Sequence, residues 1–264
     1  MAVSKVKRAF HTLYPLGTGR GKVIVAGMPK SGTTAIASLL AKAIDENVCS
    51  DPFHRLDELE VKYREHLFAG DFPLSRLWRA HRDVFSGTVV KDPNFPFFLD
   101  DFESFLPEAK RVFIVRNPFD NIRSILNRLE LPADPLHGEH KLPRFARGGW
   151  FHVLNGVSPD LPGNNYLEKM AWRWRISAEH YLKARHPLRL IRYEDFRSDK
   201  VAQVRQLAAD LGFKATKDIS GLVDIQYQPR GDNSGSYEAF FGEENLSMIE
   251  QIVGPQLEPF GYGE

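Results

Sequence analysis

Four short, β-branched apolar runs punctuate the chain: Lys22–Ala26, Thr88–Lys91, Arg111–Val115 and Leu188–Ile191. Apolar residues follow one another in them instead of alternating with polar ones. That predicts strands covered on both faces, as in a parallel sheet. Between and after the runs, the spacing of apolar positions predicts helices over Thr34–Ile44, Leu56–Phe68, Phe97–Phe105, Phe119–Leu129, Leu167–Arg185, Val201–Leu211 and Glu243–Phe260, the last ending beside Gly261. Strands alternating with helices predict an α/β fold of three layers, a central mostly parallel sheet flanked by helices. Two stretches break the pattern. Leu131–Asn165 is rich in Pro, Gly, His and Arg and has no period, which predicts an irregular insertion or lid at about 131–165. Pro229–Gly235 is a second polar, glycine-rich stretch. In open α/β sheets ligands bind beyond the carboxyl ends of the strands, so the loops after the strands are where chemistry is sought.

The loop after the first run carries the strongest signal. Gly27-Met28-Pro29-Lys30-Ser31-Gly32-Thr33-Thr34 leads from a strand into a helix. The usual triphosphate-binding loop is Gly, four residues, Gly, Lys, then Ser or Thr. Gly27, Gly32 and Thr34 keep that spacing, but Thr33 stands at the lysine position and the cation has moved to Lys30. Backbone amides and the helix N-terminus still suit an anion, with hydroxyls from Ser31, Thr33 and Thr34 as further donors. After the third run comes Arg116-Asn117-Pro118, with Pro118 at a first helical turn and Ser124 about two turns further on. An arginine and a serine hydroxyl converging on a phosphate is sound chemistry.

Composition narrows the reading only a little. With 264 residues, the chain suffices for one large α/β domain spanning 1–264. A formal net charge of +1 gives no support for binding nucleic acid or membranes through bulk charge. One cysteine, Cys49, excludes an intrachain disulfide and a cysteine-rich zinc site. The basic N-terminus lacks a signal-peptide core, and no window approaches the ~18 apolar residues of a membrane span. The expectation is a cytoplasmic protein.

Together, the segments Pro29–Thr34 and Arg116–Ser124 resemble those of the sulfotransferases that use 3′-phosphoadenosine 5′-phosphosulfate (PAPS). Pro29, Lys30, Ser31, Gly32, Thr33 and Thr34 are similar to that family's 5′-phosphosulfate loop, and Arg116 with Ser124 to its 3′-phosphate site. The resemblance implies the P-loop-type fold and a PAPS-dependent transfer of a sulfuryl group to an acceptor hydroxyl or amine. Its spent donor would be adenosine 3′,5′-bisphosphate, with no metal required. It further implies that Lys30 meets the bridging oxygen and Lys91 the sulfuryl oxygens. Tyr193, in Arg192-Tyr193-Glu194-Asp195, is similar to a tyrosine near the adenine. Arg230-Gly231 is similar to a loop closing on the 3′-phosphate, and Phe260-Gly261-Tyr262 to the ends of many bacterial members.

Two departures matter. Ala35 stands where many cytosolic members carry a tryptophan that stacks on adenine. Asp92, in Lys91-Asp92-Pro93, stands where they carry a histidine base. These departures point toward bacterial or carbohydrate-type members and away from the phenol and steroid branch. Base candidates are Asp92, His54 and Asp51, and Trp150 is the acceptor-side aromatic, while Trp172 and Trp174 read as core. The acceptor class stays open between a small molecule, a lipid and a carbohydrate, and oligomeric state has no signature. Competing readings are a P-loop small-molecule kinase and a non-catalytic adenosine bisphosphate-binding module.

Overall fold

The computed structural model describes residues 17–57, 63–156, 160–186, 188–225 and 235–263. Five strands form one sheet: β1 (Val23–Gly27), β2 (Val48–Ser50), β3 (Val89–Asp92), β4 (Lys110–Val115) and β5 (Arg189–Arg192). Their order is β2-β3-β1-β4-β5, and every pair is parallel. The helices are α1 (Thr33–Ala43), α2 (Pro52–Asp57), α3 (Tyr63–Phe68), α4 (Leu74–Ala80), α5 (Leu99–Phe105), α6 (Pro118–Leu129), α7 (Pro135–Gly138), α8 (Gly148–Asn155), α9 (Tyr166–Lys183), α10 (Tyr193–Ser198), α11 (Lys200–Asp210), α12 (Tyr237–Phe241) and α13 (Glu243–Val253).

The continuous apolar runs are strands because both faces are covered. All five residues of β1 are buried. Ile24 and Ala26 face a core shared with Phe113 and Val115 of β4, Ile122 and Ile125 of α6, and Met170 and Trp174 of α9. Val23 and Val25 face the other core, shared with Ile36 and Leu40 of α1 and Val204 and Leu207 of α11. Period-2 alternation along β1 thus divides its side chains between two apolar layers, giving the expected three-layer architecture. Trp174 packs in the first core at 1% exposure. Trp172 is only partly buried and carries the Arg175 guanidinium 4.9 Å from its ring.

Four strands coincide with the apolar runs to within a residue or two at each end. β2 does not, because three residues are too short a run to carry a period. Leu56–Phe68, expected as one helix, is divided between α2 and α3, with 58–62 outside the described residues. The first residues of Phe97–Phe105 belong to a 3-10 turn, Phe95–Phe98, set by Pro96. The last helix stops at Val253, and two 3-10 turns, Gly254–Gln256 and Glu258–Phe260, complete the span around Pro255 and Pro259. The stretch expected to be irregular contains α7, a 3-10 segment over Glu139–Phe145, and α8. Its prolines and glycines punctuate short helices that are individually too brief to show a period.

Strand register sets up the site. Val25 pairs with Lys91 on one side and Val112 on the other, and Ala26 pairs with Asp92. Val115 pairs with Arg192. The residues that follow β1, β3, β4 and β5 therefore emerge at one edge of the sheet.

Candidate active site

The β1–α1 loop is wound tightly enough to need two left-handed residues, Lys30 (φ 66°) and Gly32 (φ 78°). The second must be glycine. A Cβ there would lie 2.5 Å from Cδ2 of Tyr193, so the tyrosine ring covers the loop where a side chain would project. Gly27 is also constrained, since a Cβ would lie 2.7 Å from the Ile114 carbonyl oxygen. Gly32 is the N-cap of α1 and offers no side chain, and the first turn holds no acidic residue. The first N–H groups of an 11-residue helix therefore face the loop with its positive dipole end.

Asn121, buried on α6, braces the loop from behind. Its Nδ2 donates to the Pro29 carbonyl at 2.7 Å and to Ser31 Oγ at 3.0 Å. This corrects one expectation. Ser31 is 0% exposed, its Oγ accepts inward from Asn121, and it is not among the residues that line the cavity. Thr33 and Thr34 do line the cavity, and Thr34 Oγ1 accepts from Lys91 Nζ at 2.8 Å.

Arg116 follows β4 and is 5% exposed. Its Nη1 donates to the Lys30 carbonyl at 2.8 Å, and its guanidinium lies 4.8 Å from the Tyr193 ring centroid. Its buried Nε has no hydrogen-bond partner. Burial, which outweighs the help of Tyr193, Asp120 and Glu194, lowers its pKa. Burial likewise brings Lys30 down to about 8, and the positive charges of Arg116 and Arg128 add to the effect. Two neighbouring cations that each strain against burial form a site short of negative charge.

The carboxyl-end residues of β3 lie across the loop. Lys91, 1% exposed, donates from Nζ to Asp51 Oδ1 at 2.9 Å as well as to Thr34. Asp92 is 1% exposed and accepts from Phe53 N (3.0 Å), Asn94 N (2.9 Å) and Asn94 Nδ2 (2.7 Å). Burial raises its pKa, against the pull of Arg64. His54, on α2, is exposed where it borders the cavity.

These elements enclose one cavity of about 700 Å³. Lys30, Gly32–Thr34, Arg116, Ser124 and Tyr193 line it, together with Asp51, His54, Lys91, Asp92 and Trp150. Pro29 lies at the same wall. Every sequence-selected site residue within the described chain except Ser31 meets at this cavity. Arg230 and Gly231 lie outside the described residues. Ala35, Val223 and Ile225 also line the wall.

Sequence reasoning missed Asn121, Arg64 and Arg173. Arg173 left a signal: it falls on the buried stripe of α9 with Met170, Trp174 and Ser177, where a charge is out of place. Tyr193 is followed by Glu194, whose carboxylate accepts from Asn117 N (3.0 Å) and from Tyr262 OH (2.7 Å). The closing Phe260-Gly261-Tyr262 is thereby tied to the loop that carries Arg116.

A parallel sheet with a glycine-bounded anion loop at its central strand, and an arginine from the neighbouring strand gripping that loop, defines a P-loop-type group-transfer protein. Residues 20–227 match the family described as the sulfotransferase domain. The chain belongs to the sulfotransferase family. Among curated proteins, no sequence matches this chain. Solved structures share the fold. Sulfotransferase STF9 from Mycobacterium avium is 13% identical, with 91% of this chain and 77% of that one covered and a TM-score of 0.55. Sulfotransferase STF1 from Mycobacterium tuberculosis is 14% identical, with 96% and 81% covered and a TM-score of 0.54. Mouse sulfotransferase SULT7A1, solved in complex with PAP, is 14% identical, with 98% and 91% covered and a TM-score of 0.52. No helix among the described residues is long and apolar enough to cross a membrane.

Proposed function

We propose that this protein transfers a sulfuryl group from PAPS to an acceptor hydroxyl or amine, as a member of the bacterial or carbohydrate-type branch. The observation that carries the reading is the 2.8 Å bond between Arg116 Nη1 and the Lys30 carbonyl. It ties the two anion-binding segments together at one cavity. The residues fit a doubly phosphorylated nucleotide. The uncapped α1 N-terminus, the glycine cradle beneath Tyr193 and the unmatched Nε of Arg116 all call for anionic oxygen. The mouse relative solved with PAP agrees with that ligand class.

When bound, the donor supplies the activated sulfuryl group. Gly32, Thr33 and Thr34 hold the 5′ end through backbone amides and hydroxyls, with Pro29 shaping the turn and Ser31 bracing it. Arg116 and Ser124 hold the 3′-phosphate. Tyr193 borders the adenine. Lys30 stabilises charge that develops on the departing oxygen, and Lys91 neutralises the peripheral oxygens, so catalysis is positioning plus positive potential. The relocated lysine suits this chemistry better than a kinase's. Thr34, which would hold magnesium in a triphosphate site, is engaged by Lys91 instead.

His54 is the proposed base toward the acceptor. Asp92 has both oxygens committed to N–H donors and acts by holding the β3 turn, and Asp51 is paired with Lys91. No metal is required.

Thermal denaturation with and without ligand tests the donor. Adenosine 3′,5′-bisphosphate should raise Tm, and magnesium-ATP should not. The reverse result would overturn the reading in favour of a kinase. Turnover of sulfur-labelled PAPS with an acceptor panel then separates an enzyme from a bisphosphate-binding module. Lys30→Ala should abolish turnover; full activity in that variant would sink the catalytic assignment.

A further inference from the structure

The turn that presents Arg116 is held at both polar atoms of one peptide unit. The Arg116 carbonyl accepts from Trp174 Nε1 at 2.9 Å, and the Asn117 N–H donates to Glu194 Oε1 at 3.0 Å. The Asn117 side chain caps α6, accepting from Phe119 N and Asp120 N. Its own N–H lies ahead of the helix and needs a partner from elsewhere. Glu194 is that partner. The residue before it acts on the same arginine, since the Tyr193 ring centroid lies 4.8 Å from the Arg116 guanidinium. One dipeptide after β5 thus orders both the backbone and the head group of Arg116.

Glu194 is held in turn. Its Oε2 accepts from Tyr262 OH at 2.7 Å while Oε1 serves Asn117. Burial and then the Glu194 carboxylate push the Tyr262 pKa up, so the hydroxyl keeps its proton and stays a donor. Arg192 sets the ring. Its guanidinium lies 4.8 Å from the Tyr262 centroid, and its Nη2 donates to the Gly261 carbonyl at 3.4 Å. Gly261 turns the chain there with φ 70°, and a Cβ would lie 3.3 Å from Arg192 Nη1. Neither Glu194 nor Tyr262 is among the residues that line the cavity.

We infer that Glu194 and Tyr262 are positioning residues for the donor: Tyr262 aims the Glu194 carboxylate, and the carboxylate fixes the Arg116–Asn117 peptide so that Arg116 meets the nucleotide's 3′-phosphate. This rests on the sulfotransferase reading and adds to it what keeps the 3′-phosphate arginine in place. Hydrogen bonds to a carboxylate are stronger than those between neutral groups, and a small displacement of a positioning group is felt at the ligand. The loss should fall mainly on the 3′-phosphate.

Calorimetry on the full chain compares adenosine 3′,5′-bisphosphate with adenosine 5′-phosphate, which lacks the 3′ group. The wild type should favour the bisphosphate. Tyr262→Phe removes one oxygen and keeps the ring over Arg192. It should shrink that preference about three- to tenfold, within the worth of one hydrogen bond. Glu194→Ala should shrink it at least as much. Adding Tyr262→Phe to Glu194→Ala should change it no further, because the hydroxyl acts through the carboxylate. An unchanged preference in Tyr262→Phe, whether both ligands bind as before or both weaken equally, marks a merely structural role and overturns the inference. A further loss in the double variant overturns it as well. Tyr262→Phe decides the matter even if Glu194→Ala fails to fold. A wild type with no preference for the bisphosphate would count first against the 3′-phosphate assignment, and this inference would fall with it.

Discussion

Lys30 holds the most informative position in the loop, and its environment makes a prediction about pH. Burial and the neighbouring Arg116 lower its pKa to about 8. An anionic nucleotide favours the charged form, so binding draws a proton onto Lys30 whenever the pH is near or above that value. Affinity for adenosine 3′,5′-bisphosphate should therefore fall as pH rises through about 8, with proton uptake visible by calorimetry in buffers of different ionisation enthalpy. The linkage to folding has the opposite sign. The unfolded chain binds the Lys30 proton more tightly, so this group's contribution to stability rises with pH between about 8 and the unfolded value. Gly32 makes a steric prediction. Gly32→Ala combines a positive φ of 78° with a Cβ 2.5 Å from the Tyr193 ring. It should cost about 1–3 kcal/mol in chemical denaturation, and more if the ring cannot swing aside. Loss of bisphosphate binding should accompany it.

At the level of elements, the site is held by ties between segments distant in sequence. Helix α6 carries Ser124 at the cavity wall and Asn121 on the buried side that braces the β1–α1 loop. Asn121→Ala removes two buried hydrogen bonds and leaves the Pro29 carbonyl unmatched. It should destabilise by about 2–3 kcal/mol and weaken bisphosphate binding, measured by urea denaturation and calorimetry on the same variant. The sequence made α6 and the loop visible separately, because each follows a β-branched run and carries its signature within a few residues. Their junction was not visible. A lone asparagine on an amphipathic helix reads as solvated until the loop it touches is known to lie there. Arg64 and Arg173 stayed hidden for the same reason, since α3 and α9 are about a hundred residues apart and meet only in the folded cavity. Strand β2 escaped notice through brevity, and α7 and α8 through the prolines and glycines that separate them.

For the whole molecule, the sheet order β2-β3-β1-β4-β5 sets the division of labour. Strands β4 and β5 deliver Arg116 and Tyr193 on one side of β1, and β3 delivers Lys91 and Asp92 on the other. Trp150 and Val153 reach the cavity from α8, in the segment between β4 and β5. Trp150→Ala should raise KM for the acceptor several-fold with little change in KM for PAPS, since Trp150 is not among the residues assigned to the nucleotide. Steady-state kinetics with each substrate varied in turn would check it. A change confined to the donor's KM would overturn the acceptor role of Trp150. The central position of β1 has one more consequence. Because the strand carrying the glycine-bounded loop separates the two flanks, mutations that remodel α2 or α8 should retune what is sulfated without disturbing how the nucleotide is held. The topology thus leaves acceptor choice free to drift across descendants while the energy-rich partner stays the same.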